Sequence, residues 1–263
     1  MGFKKTGLLI SAEQIEILKK MSWWYRLNHV EHQRCRRANS GGISYWNMQM
    51  EYPMMSNGKP LVLLAQFCME ELPQTAYLPK MGLLQFFISD EPLLGMRFNQ
   101  RKKQNCFRVV YHPKIDYALR TENVLELGIK ASEISRKGRR VSREFPVKGE
   151  FVVSAQLEKT CMGERDRNYW SLLEQIAREK GFIPTDAFLD YNNVKETSQQ
   201  GSRLFGYPFF TQYDPRPEGR YDTLPFQMDT QQPYVKWGDQ GVAGFFVNSV
   251  KLQNTDFQDV FYT

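Results

Sequence analysis

The chain has 263 residues, 41% hydrophobic and 24% charged, with 35 Lys and Arg against 29 Asp and Glu and a formal net charge of +6. These are the proportions of a soluble globular protein and exclude a disordered or fibrous one; at this length a sizeable core can be buried. No run approaches the roughly 20 apolar residues of a membrane span, and the patch Leu8 to Ile10 is too short for a signal-peptide core, so the expected setting is cytoplasmic, with no membrane contact.

In chain order, Ser11 followed three residues later by Gln14 forms a capping-box pattern, and Ile15, Leu18, Met21 and Tyr25 recur at helical spacing, which predicts a helix from about Ala12 to Arg36. Beyond Gly41 and Gly42 the texture changes to short apolar runs broken by Pro and Gly. Leu61 to Phe67, Leu83 to Ile88, Phe107 to Tyr111 and Phe151 to Leu157 read as strands. Leu172, Leu173, Ile176 and Ala177, ahead of Gly181, predict an amphipathic helix with a glycine stop. A helical turn is expected after Pro184, and the last 60 or so residues return to strands, Phe245 to Val250 being the clearest.

Two parts of this strand-rich region resemble each other. Ser40 to Tyr45 compares with Leu204 to Phe209, Leu64 to Glu70 with Pro225 to Asp229, and Gly82 to Ile88 with Gly241 to Val247, in the same order and at similar spacings. Each copy has a glycine turn, a strand carrying a Gln in apolar surroundings, a Pro/Gly-rich connection and an aromatic strand. Neither copy has enough strands to bury both of its faces, so the two are expected to share one core with the helices outside. The fold class expected is α+β: a β-rich single domain of two degenerate strand repeats with peripheral helices. Residues 1–39 form an N-terminal helical extension and 40–263 the domain, its halves at about 40–160 and 200–263.

These same segments carry a family resemblance. Gly58-Lys59-Pro60-Leu61 with Leu64-Ala65-Gln66, Leu78-Pro79-Lys80 with Gly82 to Ile88, Gly206 to Gln212 with Asp214-Pro215-Arg216, Leu224 to Asp229, and Trp237 to Gly241 together resemble the YwqG-like family of bacterial proteins, a domain of unknown function. Ala38-Asn39-Ser40 stands where that family usually carries a Lys before the glycine pair. The resemblance implies a fold and a bacterial cytoplasmic setting, and no reaction.

Candidate chemistry is sparse. Cys35, Cys68, Cys106 and Cys161 lie 33, 38 and 55 residues apart, without a metal-ribbon or redox-pair pattern, and read as buried reduced thiols. His29, His32 and Cys35 share a predicted helix but are crowded by Arg34, Arg36 and Arg37, so no metal and no cofactor is expected. The basic run Arg136 to Arg143 lacks interleaved aromatics, and the expectation is a solvated connection; nucleic-acid binding through this run and the basic N-terminal helix is the weaker alternative. Asp214, Asp222, Asp229 and Asp239 sit in turn-like settings. Gln66, Gln85, Gln212 and Gln227 are amides in apolar surroundings that must find partners, either in an internal network or at a ligand. In the functional version they line a cleft between the halves with Tyr207, Asp214, Arg216, Trp237 and Asp239 around it. The reading preferred on the sequence is a non-enzymatic module that recognises a protein or ligand, of the kind that neutralises a toxin or senses a partner. The alternative is an enzyme of unrecognised type using Asp214, Asp239 and Arg216.

Overall fold

A computed structural model describes residues 19–29, 38–72, 79–127, 145–181 and 200–263. Within them lie ten strands: β1 (Lys19–His29), β2 (Asn39–Ser40), β3 (Val62–Cys68), β4 (Leu83–Ile88), β5 (Phe107–His112), β6 (Phe151–Cys161), β7 (Arg203–Leu204), β8 (Thr223–Asp229), β9 (Val242–Val247) and β10 (Phe261–Tyr262). Three helices accompany them: α1 (Thr121–Leu125), α2 (Tyr169–Lys180) and α3 (Ser249–Gln253). The protein is thus an α+β, β-dominated domain. In α2, Tyr169, Leu173 and Ala177 form the buried stripe, and Gly181, at φ 70°, ends the helix in the left-handed conformation that glycine adopts freely. The basic run 136–143, the turn after Pro184, His32 and Cys35 lie outside the described residues.

Where the helix over 12–36 is expected, residues 19–29 instead form the strand β1, hydrogen-bonded to β6 along its whole length and to β7 over two residues. Met21, Trp23, Tyr25 and Leu27 alternate with Ser22, Arg26 and Asn28, with Trp24 the one break, a two-residue period that competes with the helical one and is rich in aromatics. Pairing on both edges decides the competition, and makes this segment part of the sheet, not an appendage to it.

All pairings are antiparallel and join the strands into one ladder, β10-β9-β8-β7-β1-β6-β2-β3-β4-β5. Six ladder steps separate β8 from β4, which in a flat sheet would place them about 29 Å apart at about 4.8 Å per step. Yet the ring centroids of Phe86 on β4 and Phe226 on β8 are 4.5 Å apart, and Phe86 and Phe245 are 5.0 Å apart. The ladder therefore folds over on itself, and the two ends pack face to face across an aromatic seam that continues through Phe107 and Tyr262. Closing the sheet this way buries the inner face of the strands near its ends; on β4 the outer face is covered as well, by the segments carrying Tyr45, Trp46, Leu119 and Val124, so that Leu83–Ile88 is buried without a break.

Several local arrangements occur twice. Counting outward from the β1–β6 pair, each side has one two-residue strand followed by three strands of an antiparallel meander. Asn39 pairs with Gln66 and Arg203 with Gln227. Two and three residues on from Asn39 and Arg203 the chain turns through consecutive left-handed residues, Gly41 and Gly42 (φ 69° and 71°) on one side and Phe205 and Gly206 (φ 60° and 77°) on the other. The Tyr45 N–H then donates to Gln66 Oε1 at 3.1 Å, and the Phe209 N–H to Gln227 Oε1 at 2.8 Å.

Strand alternation decides what the glutamines face. On β4, Leu84, Phe86 and Ile88 join the seam, while Leu83 and Phe87 join a second cluster with Tyr45, Trp46, Leu119 and Val124. Gln85 shares the parity of this outer set, and Gln66 on β3 likewise alternates with the seam residues Ala65 and Phe67. On β8 the seam takes Phe226 and Met228, and Gln227 faces the outer cluster that holds Phe210 and Phe246. The seam between the two ends is consequently apolar, and the amides sit on the outer faces of their strands instead of along it.

Candidate binding pocket on the outer face of β8 and β9

Beneath the loop that covers β3–β5, the amides form a closed network. Gln85 Nε2 donates to the Tyr45 carbonyl at 2.7 Å and to Gln66 Oε1 at 3.0 Å, which leaves Gln85 Oε1 to accept from His112 Nε2 at 2.8 Å. His112 is buried, its ring edge-on to Tyr45 and Trp46, and desolvation lowers its pKa from 6.5 to about 4. At neutral pH it is therefore an uncharged imidazole with its proton on Nε2, consumed in holding Gln85.

The other half differs at one register position. Where β4 places Gln85 opposite Gln66, β9 places Gly244 opposite Gln227. A pocket of about 220 Å³ opens on this face, bounded by Gln227, Gly244, Phe210, Phe246, Arg101 and Thr263. A Cβ on Gly244 would come within 2.7 Å of the Phe246 ring, so glycine is needed for that ring to lie across the strand. A second hollow of about 380 Å³ adjoins it and shares Phe98, Arg101, Tyr213 and Pro215 with it.

The pocket wall is held firmly. Phe210 and Phe246 stack at 5.9 Å with planes 19° apart, and the Arg216 guanidinium carbon lies 5.4 and 5.0 Å from their ring centroids. Arg216 is buried and donates from Nε to Asp214 Oδ1 at 2.9 Å, and from Nη2 to Asp214 Oδ2 at 2.6 Å and Asp166 Oδ2 at 2.9 Å. Burial pushes the Asp214 carboxyl up, but the hydrogen bonds and charge of Arg216 outweigh it and hold the group below the usual carboxylate range. Arg167 adds a contact from its N–H to Asp214 Oδ2, and Arg165 donates to the carbonyls of Phe210 and Thr211. Together these ties pin the loop 206–216 to the segment 163–167 and leave its aromatic side chains preorganised.

On the opposite rim, the loop carrying Arg101 is fastened to the C-terminal strand. Tyr262 N–H donates to the Arg101 carbonyl, Tyr262 Oη to the Leu94 carbonyl, and Gln104 Nε2 to the Phe257 carbonyl. Arg97 in this loop is neutralised by Glu91 at 2.7 Å. The Arg101 side chain instead has Nη1 on Thr263 Oγ1 at 2.8 Å and its guanidinium carbon 5.5 and 5.7 Å from the rings of Phe98 and Phe261, with no Asp or Glu side chain paired to it among the described residues. Desolvation by burial lowers its pKa below the usual guanidinium range. Phe98 and Tyr213, 65% and 67% exposed, stand at the rim.

Of the residues singled out from the sequence, Gln212 and Gln227 line this pocket, and Asp214 and Arg216 buttress its wall. Gln66 and Gln85 belong to the His112 network of the other half. Tyr207 is buried, its N–H donating to Thr160 Oγ1 and its carbonyl accepting from Arg203. Trp237 packs in the seam cluster and not at a cleft mouth, and Asp239 lies on the exposed turn between Gly238 and Gly241. The expected single cleft uniting all nine does not form: strand parity turns Gln66 and Gln85 to one outer face and Gln227 to the other, and the loops carry Tyr207, Trp237 and Asp239 to three further places. Phe98, Arg101, Phe210, Phe246 and Thr263 were not legible as site residues; the basic stretch Arg101-Lys102-Lys103 beside Phe98 was the only hint. Among the described residues no group of three or more His, Cys, Asp or Glu is placed to hold a metal ion, and no helix is long and apolar enough to cross a membrane.

This arrangement of a folded-over antiparallel ladder with a buttressed pocket coincides with a family match: the model of a domain of unknown function, DUF1963, matches residues 39–263. The chain belongs to that family. Among curated proteins none matches it at a significant level.

Proposed function

We propose that this protein is a non-enzymatic recognition module that takes a protein segment or ligand at the pocket between Arg101 and Phe210, of the kind that neutralises a toxin or senses a partner. The observation that carries this reading is a contrast. The polar groups that chemistry would need, Asp214, Arg216, His112 and the buried amides, are engaged in internal hydrogen bonds, while Phe98, Tyr213 and Arg101 are left facing an open pocket. Exposed aromatics around an arginine are the composition favoured at binding surfaces. We infer also that the chain is of the YwqG-like branch, acts in a bacterial cytoplasm, and arose by duplication, with halves at about 40–160 and 200–263. The repeated register, paired left-handed residues and repeated glutamine hydrogen bond support the duplication.

The enzyme alternative has less support, since Asp214 and Arg216 are spent on each other and Asp239 stands on an exposed turn with no described contact to them. A photo-crosslinking amino acid placed at Phe98 or Tyr213 in the source cells tests the recognition reading. A discrete heavier adduct is expected from these sites and none from Trp170, exposed on α2. A substrate turned over by the purified chain, with turnover lost but folding kept in Asp239→Asn and Arg216→Lys, would overturn it.

A further inference from the structure

We propose that the pocket reads a carboxylate: it takes a short segment of a partner protein in which an Asp or Glu neighbours a large apolar residue, the carboxylate on the Arg101 guanidinium and the apolar side chain in the hollow beside Gly244. The inference rests on the recognition reading above and names its ligand chemistry.

Three observations converge on it. The first is an uncompensated charge. Arg101 and Lys102 and Lys103 beside it line the joined hollows, and no Asp or Glu side chain lines either one. A guanidinium is a planar fork of five donors suited to bidentate contact with a carboxylate. Here one of its nitrogens is engaged with Thr263 Oγ1, and its charge is partly withdrawn from water between two phenyl rings. An incoming carboxylate would restore what that desolvation removes, and a half-shielded site strengthens such a bond over one in bulk water.

The second is the hollow itself. The meander that carries Gln85 places there an amide bonded to the His112 ring, whereas at Gly244 the Phe246 ring lies across the strand and, with Phe210, floors the hollow beside it. Apolar floor and charged rim thus sit side by side, which suits adjacent residues of one segment and not a bare anion.

The third is the surrounding charge. Residues 201–263, which supply most of the floor, contain five Lys or Arg against seven Asp or Glu. Among the residues lining the two hollows, the cations are those of the Arg101–Lys103 corner. A polynucleotide needs a track of cations along its backbone, and a single carboxylate needs only this corner.

The test titrates the full chain, followed by its NMR signals, with the acetylated and amidated peptide Gly-Phe-Glu-Phe-Gly, its Gln counterpart and hexauridylate. The Glu peptide is expected to shift the signals of Phe98, Arg101 and Gly244 saturably, and the Gln peptide to bind about tenfold or more weakly, as befits loss of a charge-assisted pair. Arg101→Gln should erase the preference between the peptides, and Arg178→Gln, the same charge change on the exposed face of α2, should keep it. Should Arg101→Gln fail to fold, the two peptides on the unaltered chain decide alone. Equal affinities, shifts elsewhere, or no shifts overturn carboxylate reading, and tighter, strongly salt-dependent binding of hexauridylate at the same signals replaces it with nucleic-acid binding. None of these outcomes touches the crosslinking result, so the recognition reading stands or falls separately.

Discussion

Lowering the pH across the His112 titration is the sharpest test of the buried amide network. The ring is 2% exposed, its Nε2–H serves Gln85, and its pKa falls from 6.5 to about 4 through desolvation. The unfolded chain, with an ordinary imidazole, takes up its proton first as pH drops. The contribution of the neutral ring is therefore complete above about pH 6.5 and is lost as pH falls from there through about 4. At about 1.4 kcal/mol per pH unit between the two values, the loss amounts to about 3 kcal/mol, an upper figure because burial strains relax. Urea unfolding followed by tryptophan fluorescence, at pH about 7 and about 4.5, should measure most of it. His112→Gln keeps an amide donor for Gln85 but cannot titrate, so carboxylates and the other histidines cancel when the two proteins are compared. Between these two pH values the wild-type chain should lose more stability than His112→Gln does, by about 2 kcal/mol or more. If both proteins lose the same stability, or if the His112 ring titrates by NMR near 6.5, the inferred neutral tautomer and its network are wrong.

Further outcomes are expected elsewhere. Phe86→Ala, which opens the seam where the two ends of the ladder meet, should cost about 3–5 kcal/mol in chemical unfolding, and a double-mutant cycle with Phe226→Ala should reveal a coupling of about 1 kcal/mol. Asp214→Asn removes the principal partner of the buried Arg216 and should lower stability by about 3 kcal/mol or more in the same assay, with the loss seen at neutral pH. Gly42→Ala, at φ +71° with the Glu150 side chain 2.4 Å from the new Cβ, should lower the melting temperature more than Gly238→Ala, at φ +47° with nothing within 4 Å. Cys68, whose thiol donates to Glu70 and whose pKa burial pushes up to about 12, should resist alkylation at pH about 8 until denaturant is added, as should buried Cys106.

What the linear pattern determined were the local features with one dominant cause. The runs at Val62–Cys68, Leu83–Ile88 and Phe107–His112 formed strands because they are short apolar stretches rich in aromatic and branched side chains and bounded by turns, and α2 formed because its apolar stripe ends at a glycine that can turn left-handed. The correspondence of the segments around Gln66 and Gln227 was visible because they follow their glycine turns in the same order and at similar spacings. Tertiary structure alone decided the rest. Residues 19–29 carry both a helical and an alternating pattern, and only pairing with β6 and β7 selects the strand. Which face a glutamine presents depends on parity within the folded-over ladder, a property no single strand contains. The pocket, finally, arises where a Gly stands opposite Gln227, and its cation comes from a loop more than a hundred residues away in sequence, so proximity in space and not pattern along the chain creates it.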